Sequence, residues 1–225
     1  MAAVKHAIID IVRHFPTELN EPGEERVRGQ MAVGIDQRQA DRLAPRVARV
    51  LQADGVTTIY CSDLRRGMET AEAVAQHLPG VRVVRLRRMR TWDVGKFTGE
   101  LRKQALQELQ RYIKHSDEKI PGGWTDEMLT GRSQHFAGES FDQYMDRWGP
   151  LAAEFVEQAL EDPGERFALV LHGNQIWTLP TLLQGRKFDR FTYSVPPPGT
   201  VLRLDVRASD SSAPSDVRIE QVKAA

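Results

Sequence analysis

The chain alternates short apolar runs with amphipathic segments, and this alternation constrains its fold more than any other feature of the sequence. Four runs have the length and the β-branched content typical of buried strands: Ala7–Val12, Thr57–Ser62, Val81–Leu86 and Arg166–Leu171. Five segments carry helical spacing or helix-start signals: Asp36–Ala53, Asp63–Leu78, Leu101–His115, Ser140–Leu160 and Asn174–Gln184. Strands that alternate with helices are typical of α/β proteins with a largely parallel sheet. We therefore predict an α/β fold, ending in a hairpin of Thr200–Val206 and Asp216–Val222.

Polar side chains follow three of the predicted strands. Arg13 and His14 come after the first strand, Ser62–Arg66 after the second, and His172 after the strand that ends at Leu171. Ligands of open α/β sheets bind outside the carboxyl ends of the strands. The sequence therefore predicts that two histidines and at least two cationic side chains meet at one edge of the sheet.

Such a cluster can surround a phosphoryl group. Arginine presents a planar fork of donors that matches phosphate oxygens, and it stays charged at any relevant pH. An imidazole nitrogen can attack phosphorus and form a covalent phosphohistidine. The attacking nitrogen must be unprotonated, so an acceptor must hold the other ring N–H. The sequence does not identify that acceptor.

Composition excludes several classes of function. The 225 residues contain 31 Lys and Arg and 31 Asp and Glu, so the formal net charge is zero and no global field favours nucleic acid or an anionic membrane. The single cysteine, Cys61, cannot form an intrachain disulfide and favours a reducing compartment. No apolar run is long enough to span a bilayer, and the N-terminus lacks a signal-peptide pattern, so we expect a cytoplasmic protein. The remaining histidines show no metal-ligand spacing, and we expect neither a metal nor a cofactor.

Five short blocks occur in a fixed order along the chain: RHFPTELN at 13–20, SDLRRGMETA at 62–71, GKFTG at 95–99, GES at 138–140 and LHGN at 171–174. Together they resemble the motif series of the histidine phosphatase superfamily, which includes phosphoglycerate mutases. The resemblance extends from Ile8 to about Leu183. It implies a three-layer α/β/α sandwich with a mostly parallel central sheet. We expect one domain over residues 1–225, in which a segment of about 91–139 caps the active site.

The resemblance also implies roles for individual residues. His14 is the phosphorylated nucleophile, Arg13 and Arg66 clamp phosphate oxygens, and His172 is the second histidine of the pocket. Further phosphate-binding residues complete the cradle: Thr17, Asn20, Gly173 and Asn174.

Two departures from the family pattern bear on activity. The glycine that follows the nucleophilic histidine is replaced by Phe15, whose ring either lines the pocket or turns into the core. The family's usual general acid, a glutamate, is replaced by Thr91, which cannot protonate a leaving alkoxide. Asp93 is the nearest carboxylate in the same turn and is the predicted substitute, with Glu139 as another candidate. General acid catalysis contributes about two to four orders of magnitude in rate, so this change bears on the choice of substrate.

The predicted function is a metal-independent phosphatase that hydrolyses a small phosphorylated metabolite through a phosphohistidine on His14. One alternative is a mutase that shares the pocket and shields the phosphoenzyme from water. Another is a regulatory module that binds a phosphorylated ligand with weak turnover, which Phe15 and Thr91 keep open. The predicted partner is the small phosphorylated substrate, and a homodimer is left open.

Overall fold

A computed structural model describes residues 5–20, 26–101, 103–105, 138–139, 141–184, 195–208 and 216–222. Its strands are β1 (Lys5–Arg13), β2 (Thr58–Cys61), β3 (Arg82–Arg85), β4 (Phe167–Leu171), β5 (Val201–Ala208) and β6 (Asp216–Val222). Its α-helices are α1 (Gln37–Ala53), α2 (Arg65–Ala75), α3 (Phe141–Glu161) and α4 (Gly173–Leu183). Short 3₁₀ helices cover Glu18–Asn20, Arg87–Met89 and Gly95–Phe97.

The six strands form one sheet in the order β3-β2-β4-β1-β5-β6. The four strands β3, β2, β4 and β1 are parallel to one another, whereas β5 is antiparallel to β1 and β6 to β5. The predicted α/β fold with a mostly parallel sheet is confirmed, as is the pairing of the last two strands. The order places β4 between β1 and β2, so the three strands that precede the polar blocks are neighbours.

Apolar side chains are buried on both faces of the sheet. One cluster joins strand residues to α1 and α2, and it includes Val47 and Leu51 of α1 and Val74 of α2. The other joins the opposite face to α3 and α4, through Trp148 and Leu179 among others. Helices therefore cover both faces, as a parallel sheet requires, and the predicted three-layer architecture is confirmed.

The prolines inside the predicted helices do not divide them. Pro45 lies within the continuous helix α1, and Pro150 lies within α3. The start of α1 is fixed by Asp36, whose Oδ1 accepts a hydrogen bond of 3.1 Å from the backbone N–H of Gln39. None of the described helices has the length and hydropathy needed to cross a membrane. Most of the predicted helix Leu101–His115, and most of the predicted capping segment 91–139, lie outside the described residues.

Candidate active site

Strand register brings the two histidines together. In the parallel pair of β1 and β4, Arg13 lies opposite Leu171, and the backbone N–H of His14 extends the ladder to the carbonyl oxygen of Leu171 at 3.0 Å. The next residue of each strand is a histidine, and the ring centroids of His14 and His172 are 5.1 Å apart. Both side chains are almost fully buried. The predicted meeting of the two imidazoles is therefore observed.

A backbone carbonyl determines which nitrogen of His14 carries the proton. The Nδ1 atom lies 2.8 Å from the carbonyl oxygen of Phe15. Because a carbonyl can only accept, Nδ1 carries the proton and Nε2 of the neutral ring has a free lone pair. Burial lowers the pKa of His14 well below its usual value, and the cationic Arg66 lowers it further, so the neutral ring predominates at pH 7. The acceptor that the sequence did not identify is thus the carbonyl of Phe15.

The second histidine is fixed from two directions. His172 Nε2 lies 2.8 Å from Ser62 Oγ, and the backbone N–H of His172 donates to Gln175 Oε1 at 3.0 Å. The Nδ1 atom of His172 is buried and has no hydrogen-bond partner among the described residues. Burial, followed by the charge of Arg66, lowers the pKa of His172 well below its usual value. The Ser62 hydroxyl can act as donor or acceptor toward Nε2, depending on the tautomer of the His172 ring.

Arg66 is a buried cation at the start of α2. Its Nη1 donates to the carbonyl of Met31 at 3.0 Å and its Nη2 to that of Gly29 at 2.6 Å. Only 2% of the residue is exposed. Burial first, and the nearby Arg28 second, lower its pKa to about 9, so Arg66 is still charged at neutral pH. An anion bound between Arg66 and the two histidine rings would compensate this buried charge.

Arg13 approaches the same place from the end of β1. Its Nη1 donates to the carbonyl of Pro196, and a Cβ atom added to Gly173 would lie 3.9 Å from its Nη2. The charge of Arg13 also lowers the pKa values of His14 and His172, after burial and the other arginines. The structure therefore brings together Arg13, the two rings and the first residue of α4.

Among the residues it describes, the structure gives no hydrogen bond between the two histidine rings and the other predicted phosphate-binding residues Thr17, Asn20 and Asn174. Thr17 is buried, forms an isolated bridge with Ile35, and accepts a hydrogen bond of 3.4 Å from Arg28 Nη1. Asn20 ends a 3₁₀ helix, and its side chain lies outside what the structure describes. Asn174 is the second residue of α4, and its carbonyl accepts from the hydroxyl of Thr178. The phosphate-binding roles of Thr17, Asn20 and Asn174 stay predictions.

The Phe15 ring turns into the core. It is fully buried in the cluster beneath α1 and α2. Its backbone N–H donates to Thr70 Oγ1 at 2.9 Å, and that hydroxyl donates to the carbonyl of Arg66 at 2.7 Å. Of the two predicted orientations, the one that narrows the pocket is wrong. The backbone of Phe15 is instead fixed between the nucleophile and the helix that carries Arg66.

The two candidate acids differ in their surroundings. Both carboxylate oxygens of Glu139 accept hydrogen bonds of 2.8 Å from the guanidinium of Arg147, and Oε2 also accepts from the backbone N–H of Asp93. Glu139 is therefore committed as an acceptor, and a role as general acid is not supported. Asp93 is partly buried, and its Oδ1 accepts from the N–H of Gly95 in the following turn. The backbone N–H and carbonyl of Asp93 both bond to Glu139, and the role of Asp93 as an acid stays a prediction.

Three participants were not predicted from the sequence. The Phe15 carbonyl fixes a tautomer, Ser62 contacts His172, and Arg28 adds a third guanidinium near the rings. The Phe15 acceptor is a backbone carbonyl, which every residue type has, so the sequence cannot indicate it. Ser62 was predicted to lie at the end of the second strand, but its contact with His172 was not predicted. Arg28 follows no predicted strand, so no pattern marked it.

The fold and the cluster define an α/β protein with two histidines and two arginines grouped at the carboxyl edge of its sheet. Among the described residues, no group of three or more His, Cys, Asp or Glu could hold a metal ion. The model of the histidine phosphatase superfamily (branch 1) matches residues 9–213. The chain belongs to this superfamily, and the predicted class of enzyme, a phosphatase of the histidine type, is confirmed.

Two relatives of similar sequence carry the names of different activities, a mutase-like protein and a phosphatase. The chain is 28% identical over 184 residues to phosphoglycerate mutase-like protein 4 of Arabidopsis thaliana, covering 78% of this chain and 70% of that protein. It is 30% identical over 174 residues to a metal-independent phosphoserine phosphatase of the same plant, covering 73% of this chain but only 63% of that protein.

Solved structures show the same fold. A phosphoglycerate mutase from Bacillus anthracis superposes with a TM-score of 0.74 at 17% identity, covering 97% of this chain and 93% of the other. A mycobacterial glucosyl-3-phosphoglycerate phosphatase gives a TM-score of 0.68 at 22% identity, covering 96% and 97%. At these identities the likeness establishes the fold alone.

Proposed function

We propose that this protein is a metal-independent phosphatase that hydrolyses a small phosphorylated metabolite through a phosphohistidine on His14. The observation that carries the proposal is the hydrogen bond from His14 Nδ1 to the carbonyl of Phe15, because it leaves Nε2 as a nucleophile in a neutral ring. A cytoplasmic location, which the single buried cysteine favours, is part of the proposal.

In the first step, the lone pair of His14 Nε2 forms a bond to phosphorus while the bond from phosphorus to the ester oxygen breaks. Arg13 and Arg66 stabilise the charge on the oxygens of the transferred group, and His172 donates a hydrogen bond to one of them. The ester oxygen takes up a proton and leaves as an alcohol. In the second step, water attacks the phosphohistidine, the phosphorus–nitrogen bond breaks, and inorganic phosphate and the neutral ring are restored.

Asp93 is the proposed donor of the proton to the leaving oxygen. Asp93→Asn should lower the rate of hydrolysis of an alkyl phosphate about 10²-fold or more. The rate with p-nitrophenyl phosphate should fall much less, because its leaving group needs no proton. Equal effects on the two substrates would exclude this role and favour compounds with good leaving groups as substrates.

A panel of phosphomonoesters tests the function as a whole. We expect the wild type to release inorganic phosphate from at least one metabolite, and His14→Ala to release none above background. Isomer formation without phosphate release would instead identify the mutase alternative. Tight binding without release would identify the binding module, although Phe15, one of the two reasons to consider it, lies in the core.

A further inference from the structure

Helix α1 carries four arginines along one exposed side, which we call the arginine stripe: Arg38, Arg42, Arg46 and Arg49. With 3.6 residues per turn, these positions fall within about 80° of arc and span about 16 Å of the helix axis. All four residues are exposed. The whole chain has a formal net charge of zero, so the stripe is a local concentration of positive charge.

Most of the stripe has no opposite charge bound to it. Three of its side chains form no ion pair or hydrogen bond with any residue that the structure describes: Arg42, Arg46 and Arg49. Arg38 is near the carboxylate of Asp36, which is already bonded to the first turn of α1. The one acidic residue inside α1, Asp41, accepts a hydrogen bond of 2.8 Å from Gln37. Like charges at i and i+4 destabilise a helix, and an acidic partner would remove this cost.

A groove beside the stripe separates α1 from the open end of the β5–β6 hairpin. Its volume is about 390 Å³, and apolar side chains line it from both sides: Leu43, Val47, Val201 and Val222. Arg46 belongs both to this groove and to the stripe. Gly199 has φ +78°, and a Cβ atom there would lie 2.9 Å from Leu43 Cδ1, so the close approach of this turn to α1 requires glycine. The groove is therefore formed where the turn before β5 packs against α1.

The stripe and the groove together fit an extended acidic peptide. Arginines at i and i+4 are about 6 Å apart along the helix axis. Alternate side chains of an extended chain are about 6.7 Å apart and point to the same side. Carboxylates on every second residue can therefore follow the stripe, while an apolar side chain of the same peptide enters the groove. A duplex nucleic acid presents phosphates but no apolar side chain, and a flat membrane surface does not enter a groove.

We propose that the arginine stripe and the adjacent groove form a docking surface for an extended, acidic segment of a partner protein. Carboxylates of this segment pair with the stripe, and one of its apolar side chains fills the groove next to Arg46. The surface contains none of the residues assigned to the histidine site. The inference therefore goes beyond the proposed phosphatase function and does not depend on it.

The test begins with random decapeptides displayed on phage and selected on the wild-type protein. We expect the selected sequences to carry Asp or Glu at alternate positions and at least one apolar residue. Fluorescence anisotropy then gives the Kd of a labelled peptide of selected sequence. This Kd should increase about fivefold or more in Arg42→Gln/Arg46→Gln, because exposed ion pairs are lost, and it should increase with ionic strength. Arg42→Lys/Arg46→Lys, which keeps both charges, should restore most of the affinity. Val222→Gln should weaken binding as well, because this side chain lines the groove.

Arg82→Gln/Arg87→Gln is the matched control, since both arginines are exposed in or just after β3, at the other edge of the sheet, and the net charge changes equally. Its Kd should match that of the wild type. Equal weakening in the two glutamine double variants would overturn the proposal, because general charge would then account for binding. A selection that yields no acidic sequence would overturn it too. Duplex DNA and phosphatidylserine vesicles are tested in parallel. If the α1 variant loses binding to one of these and no peptide is selected, the partner is of another class and the proposal is wrong.

Discussion

At His14, one carbonyl oxygen determines which ring nitrogen acts. The hydrogen bond to Phe15 comes from a neighbour in sequence, so no substitution of a side chain removes it directly. The second histidine differs, because its partner is a side chain. His172 depends on the hydroxyl of Ser62, which stands at the end of the neighbouring strand β2. The two rings are therefore oriented by different means. The contact that orients His172 can be tested by a single substitution at Ser62.

Ser62→Ala should lower kcat/KM about fivefold, because the His172 ring loses the hydrogen bond that orients it, typically worth about 1 kcal/mol. The measurement is steady-state phosphate release from p-nitrophenyl phosphate. Thr57→Ala is the control, since it removes an exposed hydroxyl one residue before the same strand. Unchanged kinetics in Ser62→Ala would show that the contact does not position His172.

A buried carboxylate away from the site makes stability depend on pH. Asp10 is fully buried in β1, and Arg166 and Arg203 lie 3.7 Å from its oxygens. Burial raises its pKa from 3.8 to about 6, with a further increase from Asp54. Between pH 4 and 6 the folded chain keeps a proton that the unfolded chain releases, so the free energy of unfolding decreases as the pH rises through this window.

Denaturant unfolding of wild type and Asp10→Asn at pH 4 and pH 7 measures this effect. The stability of the wild type relative to the variant should decrease by up to about 3 kcal/mol between these two pH values, following the size of the shift. Asp41→Asn, on the exposed face of α1, is the control and should show no such trend. A pH-independent difference between wild type and Asp10→Asn would contradict the assignment.

Among the elements, the turn after β3 is fixed by one ion pair. Arg147 of α3 pairs bidentately with Glu139 and also donates to the carbonyls of Arg88, Arg90 and Thr91. Through Glu139 the same network reaches the N–H of Asp93. The turn that carries Asp93, the proposed acid, is therefore connected to α3, which packs on the face of the sheet opposite α1 and α2.

Glu139→Gln should lower the free energy of unfolding by about 1.5–3 kcal/mol, because it removes charge-assisted hydrogen bonds at a site where both side chains are less than a quarter exposed. The matched control is Glu154→Gln. Glu154 makes a similar bidentate pair with Arg88, but both side chains are about half exposed, so a cost of at most about 1 kcal/mol is expected. Equal costs in urea unfolding would contradict a structural role for Glu139.

Local sequence was sufficient to predict the strands and α-helices that the structure describes, and tertiary contacts were needed for their arrangement. The strand ends at His14, Ser62 and His172 could be predicted because apolar runs stop there abruptly. The order of the strands in the sheet, and hence the close approach of β2 to β4, depends on contacts between residues more than 100 positions apart. For the same reason, the contact of Ser62 with His172, 110 positions apart, could not be predicted. The Phe15 ring packs into the apolar cluster beneath α1 and α2, and its orientation therefore depends on tertiary packing that the local sequence does not indicate.

On the scale of the whole molecule, the site should couple ligand binding to stability. A ligand that binds only the folded chain stabilises it by about 2.7 kcal/mol at 100 times its Kd. We expect inorganic phosphate to raise the Tm above that in chloride of equal ionic strength. Arg66→Gln should abolish this increase, because Arg66 is the buried cation of the site. An equal increase in wild type and variant would show that phosphate acts elsewhere.

Rapid-quench labelling of His14 tests the central claim most directly. Mixing the enzyme with ³²P-labelled aryl phosphate and quenching under alkaline conditions should trap an acid-labile, alkali-stable label on His14 within one turnover. That label should then decay at least as fast as phosphate is released, and His14→Asn should show none. Steady phosphate release with no label on His14 at any time would contradict the phosphohistidine mechanism.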